Sequence, residues 1–465
     1  MSIFKPCDLR GVYGEDLTDE VMMRVGQAIA TILVRDAAKP GPTILVAGDL
    51  RTSTPSLKDS LIRGMTAGGA QVIDIGIVPT PLFYFAFTEL KADGCATVTA
   101  SHNPPQFNGL KLCLSPMPVQ PEQIERVAKI VKNGDFETGR GSVRKEDFTD
   151  RYNQFIRDRF PDRMTLRVAV DCGNGCYSEI APQLMADLGM EVIPIFCEPD
   201  GRFPHRSPDP TTDALETLCA TVQAKRADYG IAFDGDGDRI VFVDDKGRKV
   251  NVDKAIVLLG RHVFATHARP DAREKAVYEV NCSRIVPEQI GACGGAPLLE
   301  KAGHAFIKTR MLAEDALYGG EISGHFFYRA LHGGDDGLYS GLLMGRMLLQ
   351  EQRPLSALVD EIPSYCISPK LRMPCENRRA VEIVERIADG AGKGAQVSRV
   401  DGVRIDYPDG WGLARVSVTE PVLSMRFEAV RKDLMEGLVR AFLRSVPDVL
   451  DFALDALGTS NGVME

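Results

Sequence analysis

No stretch of roughly 18 apolar residues occurs in the chain, so a membrane-spanning helix is not expected. The first residues, MSIFKPCDLRG, carry charges where a secretory leader needs an apolar core, so export by that route is not expected either. Basic residues are not in excess: 55 Lys and Arg stand against 64 Asp and Glu, a formal net charge of −9. That balance argues against nucleic acid as a bulk partner, because a phosphate backbone is met by surplus Lys and Arg. It leaves room for a small phosphorylated ligand in a locally basic pocket. The eleven cysteines form no close-set framework, and the nearest pair, Cys172 and Cys176, lacks the second pair of a zinc site. This fits a reducing compartment, and the cytoplasm is the expected location.

What is present is the balance of a globular enzyme-sized chain: 465 residues, 44% hydrophobic and 26% charged. At about 150 residues per domain, three or four domains are expected. Short β-branched runs alternate with helical patterns, the mark of α/β construction. The runs at 43–48, 71–78, 167–171, 191–196, 229–233, 239–243 and 276–280 read as buried strands. Three of them end in similar punctuation, Gly48-Asp49-Leu50-Arg51, Asp171-Cys172-Gly173-Asn174-Gly175 and Asn281-Cys282-Ser283-Arg284, which suggests a repeated unit. Residues 132–151 are polar and read as a linker or surface excursion, and 244–249 as a charged turn. Three prolines within 361–375 oppose a continuous helix or central strand there. Towards the end, strands are expected near 415–428. A long amphipathic helix should follow, with Val430, Leu434, Leu438 and Phe442 on one face, and then a frayed tail from Gly458.

The strongest chemical signal is Asp234-Gly235-Asp236-Gly237-Asp238-Arg239, directly after the strand YGIAF. Three alternating carboxylates with glycines between them can turn toward one point, and an all-oxygen donor set suits a hard cation such as Mg²⁺ or Ca²⁺. An EF-hand is excluded, since its sixth position would be Arg239 where glycine is needed. The second signal is Thr99-Ala100-Ser101-His102-Asn103-Pro104-Pro105, followed by Asn108-Gly109-Leu110-Lys111. It is not a G-x-S-x-G elbow, and alone it reads equally as a polar turn. Beside a carboxylate metal loop, Ser101 becomes a candidate phosphoryl carrier, because transfer from such a serine needs a divalent cation to screen its oxygens. Gly320-Glu321-Ile322-Ser323-Gly324-His325 offers donors and acceptors for sugar hydroxyls. Arg415-Val416-Ser417-Val418-Thr419 offers a guanidinium and two hydroxyls for a phosphate.

Together these segments, with Phe4 to Gly11, Gly76 to Pro81, Asp200 to Pro204 and DGWGLARVSVTEPVLSMRFEA, run in the order of a known family over nearly the whole chain. The sequence resembles the α-D-phosphohexomutases, and most closely their bacterial phosphomannomutase/phosphoglucomutase branch. The resemblance implies three similar mixed-sheet α/β domains plus a smaller C-terminal α+β domain around a central cleft. The domain limits expected are 1–146 (phosphoserine loop), 147–246 (metal loop), 247–364 (sugar loop) and 365–465 (phosphate loop). By that resemblance Ser101 is the phosphoserine, and Asp234, Asp236 and Asp238 bind Mg²⁺ together with an oxygen on Ser101. Arg239 and Arg10 hold the phosphoserine or the transferring group, while Lys111 and His102 lie beside the reacting oxygen. Lys111 and His325 are the acid/base candidates. His304, Glu321 and Ser323 contact the sugar, and Arg415, Ser417 and Thr419 hold the phosphate not being transferred.

The reaction implied interconverts hexose 1-phosphate and hexose 6-phosphate through a hexose 1,6-bisphosphate, with glucose 1,6-bisphosphate as primer. The partners implied are hexose phosphates, without nucleic acid or membrane, and a monomer is compatible with the sequence. Three positions depart from the family pattern: Cys7 where tyrosine is frequent, Asn281 where close relatives have lysine, and Val418 where asparagine is common. Loss of one neutral donor at Val418 would weaken phosphate binding by about 0.5–1.5 kcal/mol. Phosphoglucosamine mutase is the rival within the family, disfavoured by Ile322 and by Ser417-Val418-Thr419. A Mg²⁺-dependent sugar-phosphate phosphatase or binding protein is the rival outside it.

Overall fold

A computed structural model of the chain describes residues 3–37, 41–211, 215–392, 395–417 and 421–459. The chain forms two compact bodies, Met1–Val252 with Ser323–Val359, and Asp253–Ile322 with Asp360–Glu465.

The first body contains two sheets. One has the strand order Leu9–Val12, Phe107–Cys113, Gly94–Val98, Thr43–Gly48, Gln71–Ile77 and Ser142–Lys145. Thr43–Gly48 runs parallel to both Gln71–Ile77 and Gly94–Val98, so the carboxyl ends of all three strands share one edge. One face of these strands, with Ile44, Val46, Val72, Ala96 and Val98, packs under the helices Asp19–Ala37 and Thr54–Ala67. The shared edge carries Asp49 and Arg51, Thr80, and Ser101 after their respective strands, where open α/β sheets gather ligands. The second sheet runs Ile240–Asp244, Tyr229–Phe233, Arg167–Asp171, Glu191–Ile195. Tyr229–Phe233 turns back antiparallel into Ile240–Asp244, which puts Asp234–Asp238 in the connecting loop at the carboxyl edge. The short antiparallel pair Phe326–Tyr328 and Gly334–Asp335 and the helix Gly337–Glu351 also belong to this body.

In the second body Lys275–Glu279 lies between Ala296–Glu300 and Tyr318–Gly320, all parallel. The C-terminal sheet pairs Cys366–Ile367 and Leu371–Pro374 with Val422–Ala429, and continues through Gly410–Val416 and Val403–Tyr407 to Gln396–Ser398. Helices Asn377–Asp389 and Met435–Leu443 cover one face around Leu371, Ala414, Leu423, Met425 and Phe427. The single tryptophan, Trp411, is fully buried, stacks under Arg404 at 4.2 Å, and donates from Nε1 to Glu428 Oε1 at 3.0 Å. Arg404 in turn donates to the carbonyls of Val280 and Cys282, fixing the turn after Lys275–Glu279.

The seven expected strands are present within a residue of their limits. The polar segment 132–151 is more than a linker. Ser142–Lys145 within it is an edge strand, exposed at every position, and so it shows no hydrophobic alternation. The single C-terminal amphipathic helix is in fact two, Met435–Leu443 and Pro447–Thr459; Val430 precedes both, and Leu434 closes a short 3₁₀ turn. Pro447 opens the second helix, a position where its missing N–H is harmless. Gly458 is still helical, and the rest of the expected tail lies beyond the described residues from 460. Among the described residues no helix is long and apolar enough to cross a membrane.

Candidate active site

Ser101 follows the strand Gly94–Val98 in a left-handed backbone conformation, φ +49°, which a side-chain-bearing residue adopts only when its surroundings impose it. Arg51 imposes it. This fully buried guanidinium donates to the carbonyls of Ser101 (2.8 Å), Asn103 (2.6 Å), Pro104 (2.7 Å) and Phe107 (3.0 Å). Its Nε donates to Asp49 (3.0 Å), which also accepts from Thr54 Oγ1 (2.7 Å), and its plane lies over Phe203. The Ser101 N–H donates to Thr99 Oγ1 at 2.9 Å. So held, the Ser101 hydroxyl donates to Asp234 Oδ2 at 2.8 Å. Residues 133 apart in the chain thereby meet.

The three aspartates are all buried, and each offers an oxygen within 4.8 Å of the others. Gly237 turns with φ +83°, and a Cβ there would lie 2.5 Å from the Tyr177 ring, so only glycine fits. Asp234 Oδ1 accepts from the N–H groups of Gly237 and Arg239. Asp236 Oδ2 accepts from Thr80 Oγ1 and from Lys111 Nζ, each at 2.7 Å. Asp238 accepts from Lys111 on one oxygen and faces His325 Nε2 at 3.3 Å with the other. The electrostatics divide the three. Burial, then Asp236 and Asp238, push Asp234 well above the usual carboxylate range. Burial raises Asp236 and Asp238 too, and Asp238 raises Asp236, but Lys111 with Thr80 at Asp236, and Lys111 with His325 and Arg239 at Asp238, together hold both below that range.

Those carboxylates override burial at Lys111 in turn and hold its ammonium above the ordinary lysine range. His102, 3.4 Å from the Ser101 hydroxyl, is pushed down to about 3 by burial, Arg239 and Arg10, and is neutral at physiological pH. Arg239 Nε lies 3.9 Å from Asp234. Arg10 donates to Asp8 and adds its field to Asp236 and Asp238. Ser323 Oγ and His325 Nδ1 are 2.9 Å apart, so His325 bridges the sugar loop's serine and the metal loop.

This donor set fits a hard divalent cation: three carboxylates and a hydroxyl, all oxygen, converge on one point. Asp236 Oδ1, buried, has no hydrogen-bond partner among the described residues and is available to such an ion.

The first body thus gathers Arg10, Ser101, His102, Lys111, Asp234, Asp236, Asp238, Arg239, Ser323 and His325. Four other expected residues, His304, Glu321, Arg415 and Ser417, lie in the second body. His304 opens the helix His304–Ala313. Glu321 follows Tyr318–Gly320, and with burial it raises Glu279 to about 7. Asn281 donates from Nδ2 to Glu279 at 2.6 Å. Arg415 pairs with Asp401 at 2.7 Å, and the Ser417 N–H donates to the carbonyl of Val422. Thr419 and Val418 lie outside the described residues. Cys7 packs against the core of the first sheet. Arg51, Asp49, Thr80 and Thr99 were not singled out by sequence reasoning as site residues. In the sequence, Gly48-Asp49-Leu50-Arg51 reads as strand-end punctuation, and Thr80 stands between two prolines.

Comparison with known proteins covers the same span. The models of phosphoglucomutase/phosphomannomutase α/β/α domains I, II and III match residues 1–138, 146–247 and 251–365, and the C-terminal domain model matches 371–445. The phosphomannomutase/phosphoglucomutase of Pseudomonas aeruginosa is 38% identical over 444 residues, spanning 95% of this chain and 94% of that protein. The phosphoglucomutase of Neisseria gonorrhoeae is 35% identical over 450 residues, 95% of each. A crystal structure of a phosphoglucomutase/phosphomannomutase family protein from Burkholderia thailandensis superposes with a TM-score of 0.85 at 34% identity, covering 100% of this chain and 98% of that one.

Proposed function

The chain belongs to the phosphoglucomutase/phosphomannomutase family and is a phosphohexomutase. On that premise we propose that it interconverts the 1- and 6-phosphates of mannose and glucose by way of a phosphoryl group carried on Ser101. The observation that carries this reading is the bond from the Ser101 hydroxyl to Asp234 at 2.8 Å, inside a cluster of three buried carboxylates. A hydroxyl so placed has no structural need of three acids around it, whereas a phosphoryl carrier does.

In the proposed cycle the Ser101 O–P bond breaks as an O–P bond forms to the 6-hydroxyl of a hexose 1-phosphate; that hydroxyl gives up its proton to a base, and the freed Ser101 oxygen takes one up to become a hydroxyl again. The bisphosphate turns over. The phosphoryl on O1 then returns to Ser101, O1 regains a proton, and hexose 6-phosphate leaves. Asp234, Asp236 and Asp238, with an oxygen on Ser101, would hold Mg²⁺, which when bound neutralises charge on the phosphoryl oxygens. Arg10 and Arg239 bring positive charge to the same oxygens. Lys111, kept charged by Asp236 and Asp238, is suited to neutralising charge and, with a proton to give, to serving the leaving oxygen. His325 is the second group placed to move a proton. Glu321, Ser323 and His304 would read sugar hydroxyls, and Arg415, Ser417 and Thr419 would take the phosphate not in transfer. Glucose 1,6-bisphosphate would prime the unphosphorylated enzyme. The domain limits proposed are 1–146, 147–246, 247–364 and 365–465, and the cysteine pattern supports a cytoplasmic setting.

A coupled assay tests this. Mannose 1-phosphate and glucose 1-phosphate, with a trace of glucose 1,6-bisphosphate, are expected to give the 6-phosphates. Chelation with EDTA should abolish turnover and added Mg²⁺ should restore it. Release of inorganic phosphate without isomerisation, or turnover indifferent to EDTA, would refute the reading.

A further inference from the structure

The C-terminal sheet has a second face. Directly paired residues of antiparallel strands point to the same side, and successive residues alternate. Leu371 pairs with Met425, and Met425 with Ala414, and all three face the helices. Arg372, Ser424 and Arg415 form the adjacent row across the same three strands and therefore face the other way, as does Arg426. Three arginines thus share a single face. Lys370, immediately before Leu371, lies just outside the paired register, in the field of Arg415, Arg372 and Arg426.

Their charges are not equally available. Arg415 is paired with Asp401 at 2.7 Å. The turn behind that pair is tight: Gly402 has φ +72°, and a Cβ there would lie 2.2 Å from the carbonyl oxygen of Ala414. The pairing orients Arg415 and cancels its charge, so a phosphate dianion meeting Arg415 and two neutral hydroxyls would find little net attraction. Lys370 lies among these cations. Burial, then Arg415, Arg372 and Arg426, hold its ammonium below the ordinary lysine range, with Glu279 opposing them. Glu279 also feels Glu321 and Arg415, so the basic row and the sugar loop's glutamate occupy one neighbourhood.

We propose that Lys370, with Arg372 and Arg426 beside it, extends the phosphate grip beyond Arg415 and Ser417 and supplies the net positive charge that holds the substrate phosphate not in transfer. This inference rests on the phosphohexomutase reading and deepens it. The phosphate not in transfer sits at the other end of the hexose from the reacting oxygen, so holding it serves ground state and transition state alike, and its loss shows in KM more than in kcat.

The test compares Lys370→Ala, Lys370→Glu, Lys370→Arg and Arg415→Ala in the coupled assay, with inorganic phosphate as competing anion. Lys370 is not part of the apolar core, so its variants should fold. Lys370→Ala is expected to raise KM and the inhibition constant of phosphate about tenfold together, with kcat within about twofold, and Lys370→Glu to raise both further. Lys370→Arg should keep most of the affinity. Unchanged KM and phosphate inhibition in both the Ala and Glu variants, with Arg415→Ala impaired, would overturn the Lys370 assignment and leave the phosphate loop standing. Unchanged values in all four would overturn both.

Discussion

Replacing Ser101 with alanine is expected to remove hexose phosphate interconversion, by ~10³-fold or more, while the chain stays folded. The change deletes one oxygen. Alanine meets the same left-handed backbone as serine, so the strain at φ +49° is unaltered, and the four carbonyl bonds from Arg51 do not involve the deleted atom. What is lost locally is one donor to Asp234, a loss of roughly 1 kcal/mol. What is lost chemically is the hydroxyl that stands at Asp234 and that would accept and return the phosphoryl group. Turnover in the coupled assay and far-ultraviolet circular dichroism read the two consequences separately. Activity near that of the unmodified protein would exclude Ser101 as carrier.

Replacing Arg51 with alanine is expected to have the largest effect on stability, ~3–5 kcal/mol, and to depress turnover as well. Five partners depend on this side chain: the carbonyls of Ser101, Asn103, Pro104 and Phe107, and the carboxylate of Asp49. Arg51, Asp49 and Ser101 are buried, so the abandoned Asp49 carboxylate and Ser101 carbonyl are not rehydrated cheaply. Lysine should not rescue the protein. A single ammonium cannot span four carbonyls and a carboxylate arranged around a planar fork. Because the clamp sets the Ser101 backbone, the carrier hydroxyl should drift from Asp234 even in the fraction that folds. Urea denaturation gives the stability change, and single-turnover kinetics on folded protein give the catalytic one. A change in stability below about 0.5 kcal/mol would contradict the clamp.

The parts of the site that were legible in the sequence are those written contiguously. Asp234 to Arg239 announces an oxygen-ligand loop because its ligands alternate within five residues of each other. The strand before it is apolar enough to mark where the loop begins. Ser101 gained meaning only beside that loop and by family resemblance. Arg51 and Thr80 escaped because their partners lie 50 to 56 and 156 residues away, and nothing local in Leu50-Arg51 or Pro79-Thr80-Pro81 states where the side chain ends up. Lys370 escaped for a similar reason. It follows a proline in a segment read only as broken, and its neighbours Arg372, Arg415 and Arg426 are assembled by strand register. Ser142–Lys145 was invisible because an edge strand with both faces in water needs no apolar alternation.

Mass mapping of tryptic peptides tests the central claim most directly. After incubation with glucose 1,6-bisphosphate and Mg²⁺, the peptide containing Ser101 is predicted to carry one phosphate. That phosphate should then pass to added hexose 1-phosphate within the time of a turnover. A phosphate on another residue, or none on any residue while isomerisation proceeds, would contradict the account.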